Sequence, residues 1–99
     1  MIVTIFKLTK RNAEVPTVAR PIEFSELIAQ CKQEGKLLAD SASRSEDQLI
    51  TTYQAIWSTK EDYIEFINNP VVIKFTEDRS QHNLAYGMAT EFQILNYED

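Results

Sequence analysis

Apolar residues in this chain recur with two different spacings, and the change from one spacing to the other predicts its elements. Four segments are predicted to be strands, and all but 37–43 are rich in β-branched and aromatic residues. They comprise residues 2–9, 37–43, 49–57 and 88–97. In two other regions the apolar positions recur every three or four residues, which is typical of helices. One is IEFSELIAQCKQEG, which Gly35 ends, and the other follows Trp57.

The second helical region is predicted to bend. Ser58 precedes Glu61 by three positions, the spacing of a capping box, so we expect a helix over about 59–68. Pro70 disfavours helical geometry at Asn69, but proline suits the first turn of a new helix and asparagine is a good N-cap. The sequence therefore predicts two helical segments at an angle, the second of which begins at Pro70.

The resulting order of elements is β-α-β-β-α-β, which indicates an α+β fold of the ferredoxin-like type, with an antiparallel sheet and the helices on one face. Residues 10–21 contain two prolines and three cations and are predicted to form a long loop. Residues 1–99 are expected to form a single domain, because 99 residues with 43% hydrophobic content can build one modest core.

Neither face of the predicted sheet is cleanly polar. In the first strand Ile2, Phe6 and Leu8 alternate with Val3 and Ile5, so apolar side chains point to both sides. An antiparallel sheet with helices on one face usually presents polar residues on the other. A sheet that is apolar on both faces needs a second cover, and another copy of the chain is the simplest one. We therefore expect a homodimer joined sheet to sheet.

Charge and composition exclude several classes of function. The formal net charge of −5 and the absence of a Lys/Arg run argue against binding to nucleic acid or to an anionic membrane surface. The apolar start is too short for a signal peptide and no stretch could cross a bilayer, so a cytoplasmic location is expected. A single cysteine and a single histidine give no ligand set for a metal, and we expect none.

Aromatic residues supply the first candidates for ligand binding. Tyr53 and Trp57 share one face of the third strand and could stack on a flat aromatic ligand, although packing in the core or in a dimer interface explains the same spacing. Tyr63, in the following helix, could line a cleft or be an ordinary half-buried tyrosine. A small hydrophobic or aromatic molecule is therefore the predicted ligand.

Two cations could hold an anionic group of such a ligand. Lys7 points from an apolar strand and Arg20 lies in the long loop. The alternatives are that the Lys7 ammonium extends to the edge of the sheet and that Arg20 is simply solvated. The charged residues at 77–79 are interpreted as ordinary solvated charge.

Catalytic candidates are few. His82 could act as a general base near neutral pH, but its polar neighbours favour an exposed surface histidine. Tyr53 is the other candidate. Cys31 falls on the apolar stripe of the first helix and is interpreted as a packed thiol rather than a nucleophile. No set of catalytic groups follows from these residues, and whether the protein is an enzyme stays open.

The segment from about residue 50 to residue 76 has a recognisable pattern. A strand ends in an aromatic residue, a helix start rich in Ser and Glu follows, and a proline then precedes further apolar positions. The residues concerned are Tyr53, Trp57, Ser58, Glu61, Tyr63, Phe66, Ile67, Pro70, Val71 and Phe75. This pattern resembles the antibiotic-biosynthesis-monooxygenase-like (ABM-like) domain, a family of dimeric α+β barrels. The resemblance implies a face-to-face dimer with a ligand cleft between each sheet and its helices.

The ABM-like family includes cofactor-free oxygenases of aromatic polyketides and haem-degrading enzymes. The Trp and His of the haem-degrading members would fall at Phe66 and Thr76, and their Asn near Phe6 or Lys7, so haem degradation is not expected. The hypothesis is therefore a small dimeric protein without a cofactor that binds a hydrophobic or aromatic ligand in the cleft. The alternative is a cofactor-independent monooxygenase of an aromatic metabolite.

Overall fold

The computed structural model describes residues 1–97 and confirms the predicted order of elements. Positions 98 and 99 of the predicted domain lie outside the described residues. The strands are β1 (Ile2–Thr9), β2 (Leu37–Arg44), β3 (Ile50–Trp57) and β4 (Ala89–Asn96), and the helices are α1 (Ile22–Gln33), α2 (Lys60–Ile67) and α3 (Pro70–Ala85). All strand pairs are antiparallel and the order in the sheet is β2-β3-β1-β4. The fold is ferredoxin-like, with the helices on one face of the sheet.

The bend between α2 and α3 forms as predicted. The Asn69 side chain accepts a hydrogen bond from the Val71 amide at 2.9 Å, and Pro70 is the first residue of α3. This cap satisfies a backbone N–H that has no partner within the helix, while the proline needs none. The chain therefore turns between α2 and α3, and α3 packs against α1.

The cap of α2 differs from the prediction by one residue. Thr59, not Ser58, accepts from the backbone amide three residues later, that of Asp62, at 3.1 Å. The Ser58 amide instead donates to the Lys36 carbonyl at 2.9 Å, which extends the pairing of the chain beyond β3. Ser58 is thus held by a long-range hydrogen bond, and the helix begins one residue later.

The helix side of the sheet contains two clusters of buried residues. In the first, Ile2 and Trp57 from the sheet pack with Leu37 and with Cys31 of α1. This confirms the interpretation of Cys31 as a packed thiol, and its burial raises the pKa of the thiol. In the second cluster Phe24, Val72 and Phe75 join α1 to α3.

Residues 10–21 form a loop without helix or strand, as predicted, and several contacts attach it to the rest of the molecule. The Lys10 amide donates to the Leu49 carbonyl at 2.8 Å, and Val18 packs against the second cluster. The Arg11 guanidinium lies beside Gly87, where a Cβ atom would come within 2.7 Å of it. Gly87 has φ +64°, a left-handed backbone conformation that favours glycine.

The outer face of the sheet, opposite the helices, carries an aliphatic patch. Because Ile2 faces the helices, Val3 points the other way, and it is paired across the strands with Ile56 and Leu95. Val3 is only 7% exposed, since Ile5 and these two neighbours surround it. The opposite end of this face is polar. We call Val3, Ile5, Ile56 and Leu95 the outer patch.

The helices of residues 1–97 are too short or too polar to span a bilayer. A helix of about 20 apolar residues is needed to cross the hydrocarbon core. None of the helices in this part of the chain is both long enough and apolar enough to do so.

Candidate functional site

A cavity of about 770 Å³ lies between the sheet and the helices. The helices pack mainly against β2 and β3 and leave the other edge of the sheet open. Phe92 on β4 is 57% exposed for this reason, although it is paired with Phe6 and so points to the helix side. Sites for small ligands typically measure about 300–1,000 Å³, so the cavity can hold a molecule with several fused rings.

Aromatic and aliphatic side chains dominate the walls of the cavity. The strands contribute Thr4, Phe6, Tyr53, Ala55, Trp57 and Thr90, the helices contribute Phe24, Ile28, Tyr63, Phe66, Val72, Phe75, Arg79 and Asn83, and the 10–21 loop contributes Arg20. A mainly apolar wall with a few polar groups is the usual composition of a site for a small organic molecule.

Four of the five predicted ligand-binding residues line this cavity, namely Arg20, Tyr53, Trp57 and Tyr63. Trp57 is only 2% exposed, and its ring centroid lies 4.7 Å from that of Phe66. It is therefore a core residue as well as a wall of the cavity, so the packing alternative applies to it. The role of these four residues in binding a ligand stays a prediction.

Tyr63 brings a phenolic hydroxyl group to the cavity from α2. Its ring centroid lies 6.1 Å from that of Trp57, and burial raises the pKa of the phenol above its ordinary value of 10.0. The hydroxyl therefore stays protonated at neutral pH and can donate a hydrogen bond.

Arg79 is a cavity residue that the sequence analysis missed, because the interpretation of 77–79 as solvated charge is wrong for it. Its guanidinium carbon lies 4.4 Å from the ring centroid of Phe6 and 5.5 Å from that of Phe75. Burial lowers the pKa of Arg79, and Arg20 acts in the same direction, while Tyr53 opposes them. The helical spacing of Val72, Phe75 and Arg79 could have revealed that all three face inward.

Arg20 reaches the same cavity from the 10–21 loop. Its guanidinium carbon lies 5.4 Å from the ring centroid of Phe24 and 5.9 Å from that of Tyr53. Cations within about 6 Å of an aromatic centroid are attracted by the negative face of the ring. Arg20 is therefore directed toward the aromatic wall, although its side chain remains exposed.

Asn83 is a second cavity residue without a signal in the sequence. It is 5% exposed, and its Oδ1 atom has no hydrogen-bond partner among residues 1–97. A buried polar atom without a partner costs about 1–3 kcal/mol. Thr4, on β1, is the other buried polar residue of the cavity wall. A mainly apolar wall thus contains two buried polar side chains, those of Thr4 and Asn83.

His82 does not line the cavity, and it is half-buried rather than exposed as predicted. Its Nε2 atom lies 2.8 Å from the Pro16 carbonyl oxygen, so the imidazole donates a hydrogen bond that attaches the 10–21 loop to α3. Its ring centroid also lies 4.7 Å from that of Tyr86. A contact 66 residues apart along the chain explains why local sequence did not reveal this burial.

Lys7, the fifth predicted ligand-binding residue, lies on the outer face of the sheet. Its neighbours across the strands are Thr52 and Glu91, and the side chain is half-buried. The cavity is on the other face, so the structure does not bring Lys7 together with the other four. Strand alternation places it opposite Phe6 and Leu8, and only the position of the helices decides which face holds the cavity.

No three residues among His, Cys, Asp and Glu within 1–97 come together in a way that could hold a metal ion. The polar side chains that line the cavity include hydroxyls, the Asn83 carboxamide, two guanidiniums and the carboxylates of Asp40 and Glu77.

Comparison with known proteins gives matches at the level of structure only. No protein-family model matches this chain, and no curated protein sequence matches it. A candidate antibiotic biosynthesis monooxygenase from Deinococcus radiodurans is 16% identical, with a TM-score of 0.65 over 100% of this chain and 94% of that one.

Two further solved structures are enzymes. SnoaB, a cofactor-independent oxygenase from Streptomyces nogalater, is 13% identical, with a TM-score of 0.57 over 99% of this chain and 93% of that one. The monooxygenase ActVA-Orf6 of Streptomyces coelicolor, in complex with the ligand Nanaomycin D, is 18% identical, with a TM-score of 0.54 over 99% of this chain and 89% of that one. Identities this low show a common fold and no more. The chain therefore has the fold of the antibiotic biosynthesis monooxygenase domain, as its resemblance to that family implied.

Proposed function

We propose that this protein binds a flat hydrophobic molecule with an aromatic ring system in the cavity between its sheet and its helices. The observation that carries this proposal is an open cavity of about 770 Å³ with mainly aromatic and aliphatic walls. An apolar ring system gains stability when it leaves water for such a site, and the aromatic side chains offer stacking partners. Thr4, Tyr63 and Asn83 supply hydrogen-bonding groups that would orient it.

The neutral fluorescent probe N-phenyl-1-naphthylamine tests this proposal, because its emission rises when it enters an apolar site. Ser80, an exposed residue of α3, lines the cavity, whereas its neighbour Gln81 does not. We expect the wild type to bind the probe, Ser80→Trp to block binding, and Gln81→Trp to bind as the wild type does. Absence of binding to the wild type, or equal binding to both variants, contradicts the proposal.

The second candidate function is that of a cofactor-independent oxygenase. Two structures that share the fold favour it, since SnoaB is a cofactor-independent oxygenase and ActVA-Orf6 is a monooxygenase solved with Nanaomycin D. In such a reaction the substrate itself would lose a proton and react with dioxygen. The protein would exclude water, and Tyr63 and Arg79 would face the resulting anion with hydrogen-bond donors.

Oxygen uptake separates the two functions. 1,4-Dihydroxynaphthalene is a flat phenol that reacts with dioxygen after losing a proton. An oxygenase is expected to raise the rate of oxygen uptake above that of 1,4-dihydroxynaphthalene alone. The Ser80→Trp variant is expected to abolish this increase. Binding of this compound without any increase in uptake favours the binding protein.

A homodimer formed through the outer patch completes the proposed function. Val3, Ile5, Ile56 and Leu95 form a continuous aliphatic surface on the face that no helix of residues 1–97 covers. Apolar patches of this kind are typical of protein interfaces, and a two-fold dimer would bury the same patch on both copies. Each sheet would then be covered on both faces.

A further inference from the structure

Two arginines from different elements lie over a cluster of neighbouring aromatic rings in the wall of the cavity. Arg79 of α3 lies over Phe6 and Phe75, and Arg20 of the loop lies over Phe24 and Tyr53. These rings are themselves neighbours. The centroids of Phe6 and Tyr53 are 6.1 Å apart, and those of Phe24 and Phe75 are 4.5 Å apart. The two guanidinium groups therefore lie over adjoining rings, and both arginines line the same cavity.

No carboxylate of the described residues neutralises this pair. The ion pairs within residues 1–97 all involve lysines, and neither Arg20 nor Arg79 takes part in one. Two acidic residues line the cavity. Asp40 is already paired with Lys32, and Glu77 is exposed and makes no ion pair within the described chain.

This arrangement is unfavourable when the cavity holds only water. Like charges repel, and the half-buried Arg79 has lost part of its hydration. Contact with the aromatic rings opposes that cost, because the face of a ring attracts a cation. An anion between the two guanidiniums would relieve both the repulsion and the loss of hydration. The repulsion between the two guanidiniums and the lost hydration of Arg79 are thus the features that point to a negatively charged ligand.

We propose that the ligand is an organic anion, an aromatic ring system that bears a carboxylate, and that Arg20 and Arg79 bind its carboxylate together. This inference rests on the proposed binding function and narrows it from aromatic molecules in general to aromatic acids. The planar guanidinium matches a carboxylate with two parallel hydrogen bonds, which favours a carboxylate over a single charged atom. The ring system of the ligand then lies against the aromatic walls that support the two arginines.

Specificity for the anion would come from two separate parts of the chain. Arg79 is fixed on α3, whereas Arg20 depends on a loop that the contact between His82 and Pro16 attaches to the same helix. An aromatic acid would join the loop to the helix a second time. The neutral analogue of such an acid gains the same burial of its rings but leaves both cations without a partner.

The test compares 2-naphthoate with 2-naphthamide, which have nearly the same shape and differ in charge. Their affinities for the wild-type protein and for Arg79→Met, Arg20→Met and Arg79→Lys are measured by isothermal titration calorimetry. Arg44→Met is the matched control, because Arg44 is exposed at the end of β2, outside the cavity. It removes the same charge from the protein without changing the site.

We expect the wild type to bind 2-naphthoate at least about tenfold more tightly than 2-naphthamide. Arg79→Met is expected to weaken the binding of 2-naphthoate about tenfold. Arg20→Met is expected to weaken it somewhat less, and Arg79→Lys least of the three. Binding of 2-naphthamide should change by less than about twofold throughout, and Arg44→Met should match the wild type. Arg20→Met changes an exposed loop residue, so it keeps the test valid even if Arg79→Met fails to fold.

Equal affinity of the wild type for the two compounds overturns the inference. So does undiminished binding of 2-naphthoate by both methionine variants. In either case the binding of N-phenyl-1-naphthylamine is unaffected, and the broader proposal of an aromatic ligand stands. If the wild type binds neither that probe nor 2-naphthoate, both the proposed function and this inference fail.

Discussion

The two faces of the sheet are both apolar near their centre, yet they differ in shape and in chemistry. The helix side is aromatic and concave, with Phe6, Tyr53 and Trp57 along a cavity of about 770 Å³. The outer patch consists of short aliphatic side chains such as Val3 and Ile56, which pack against one another across the strands. A concave aromatic wall suits a small ligand, and a flat aliphatic patch suits another protein surface. Hydrophobicity alone therefore does not say what covers a face.

The largest expected effect distinguishes two adjacent residues of β3 that point to opposite faces. Trp57→Ala is expected to lower the free energy of unfolding by about 3–5 kcal/mol at any protein concentration, because the indole lies in the core of one chain. Ile56→Ala should cost less and should depend on protein concentration, because its side chain would be covered by the second copy. Urea unfolding at two well-separated protein concentrations measures the loss of unfolding free energy in both variants.

The comparison between the faces breaks down if these two variants behave alike. Equal losses that are independent of concentration would mean that Ile56 contributes only within its own chain. The outer patch would then be a feature of the monomer rather than an interface.

A charge introduced into the outer patch is expected to have the next largest effect. Ile5→Glu is expected to convert the proposed dimer into monomers, since burial of an unpaired carboxylate in an apolar interface costs several kcal/mol. Ile22→Glu is the matched control, because Ile22 is 68% exposed at the start of α1 and lies on the other layer. Sedimentation velocity measures the mass of each variant. A wild-type protein that sediments as a stable species of 11.4 kDa contradicts the dimer directly.

The smallest expected effect tests whether water reaches the core on the helix side of the sheet. Burial raises the pKa of the Cys31 thiol above its ordinary value of 9.0. Between pH 9.0 and the raised pKa, the unfolded chain has released this proton and the folded protein still holds it, so stability falls as the pH rises. Below pH 9.0 the thiol is protonated in both states and adds no pH dependence.

Thermal unfolding from pH 8 to about pH 10 should therefore show a steeper loss of stability for the wild type than for Cys31→Ala. The difference is at most about 1.4 kcal/mol per pH unit, the value of one proton. Parallel curves for the two proteins would mean that the thiol titrates normally and that water reaches it in the folded state.

Much of the fold follows from local sequence. Each predicted strand agrees with the structure to within one residue at either end. The bend at Asn69 and Pro70 also forms as predicted. Side-chain spacing, caps and proline geometry act over a few residues, so a single sequence is sufficient to reveal them. The exception is the cap of α2, where a hydrogen bond from the Ser58 amide to Lys36 moved the start of the helix by one residue.

The candidate site was only partly predictable. Tyr53, Trp57, Tyr63 and Arg20 were identified from residue type and spacing, and all four line the cavity. Arg79 was assigned to solvent because it stands in a charged triplet, although its helical spacing from Phe75 places it on the inner side.

The sequence by itself determined the elements, their order and the apolar character of both faces of the sheet, because periodicity is a local property of the chain. Only the tertiary structure decided which face holds the cavity, and with it that Lys7 lies outside and Arg79 inside. It also decided that His82 attaches the 10–21 loop to α3. These outcomes depend on contacts between residues far apart in the chain, whose partners no local pattern specifies.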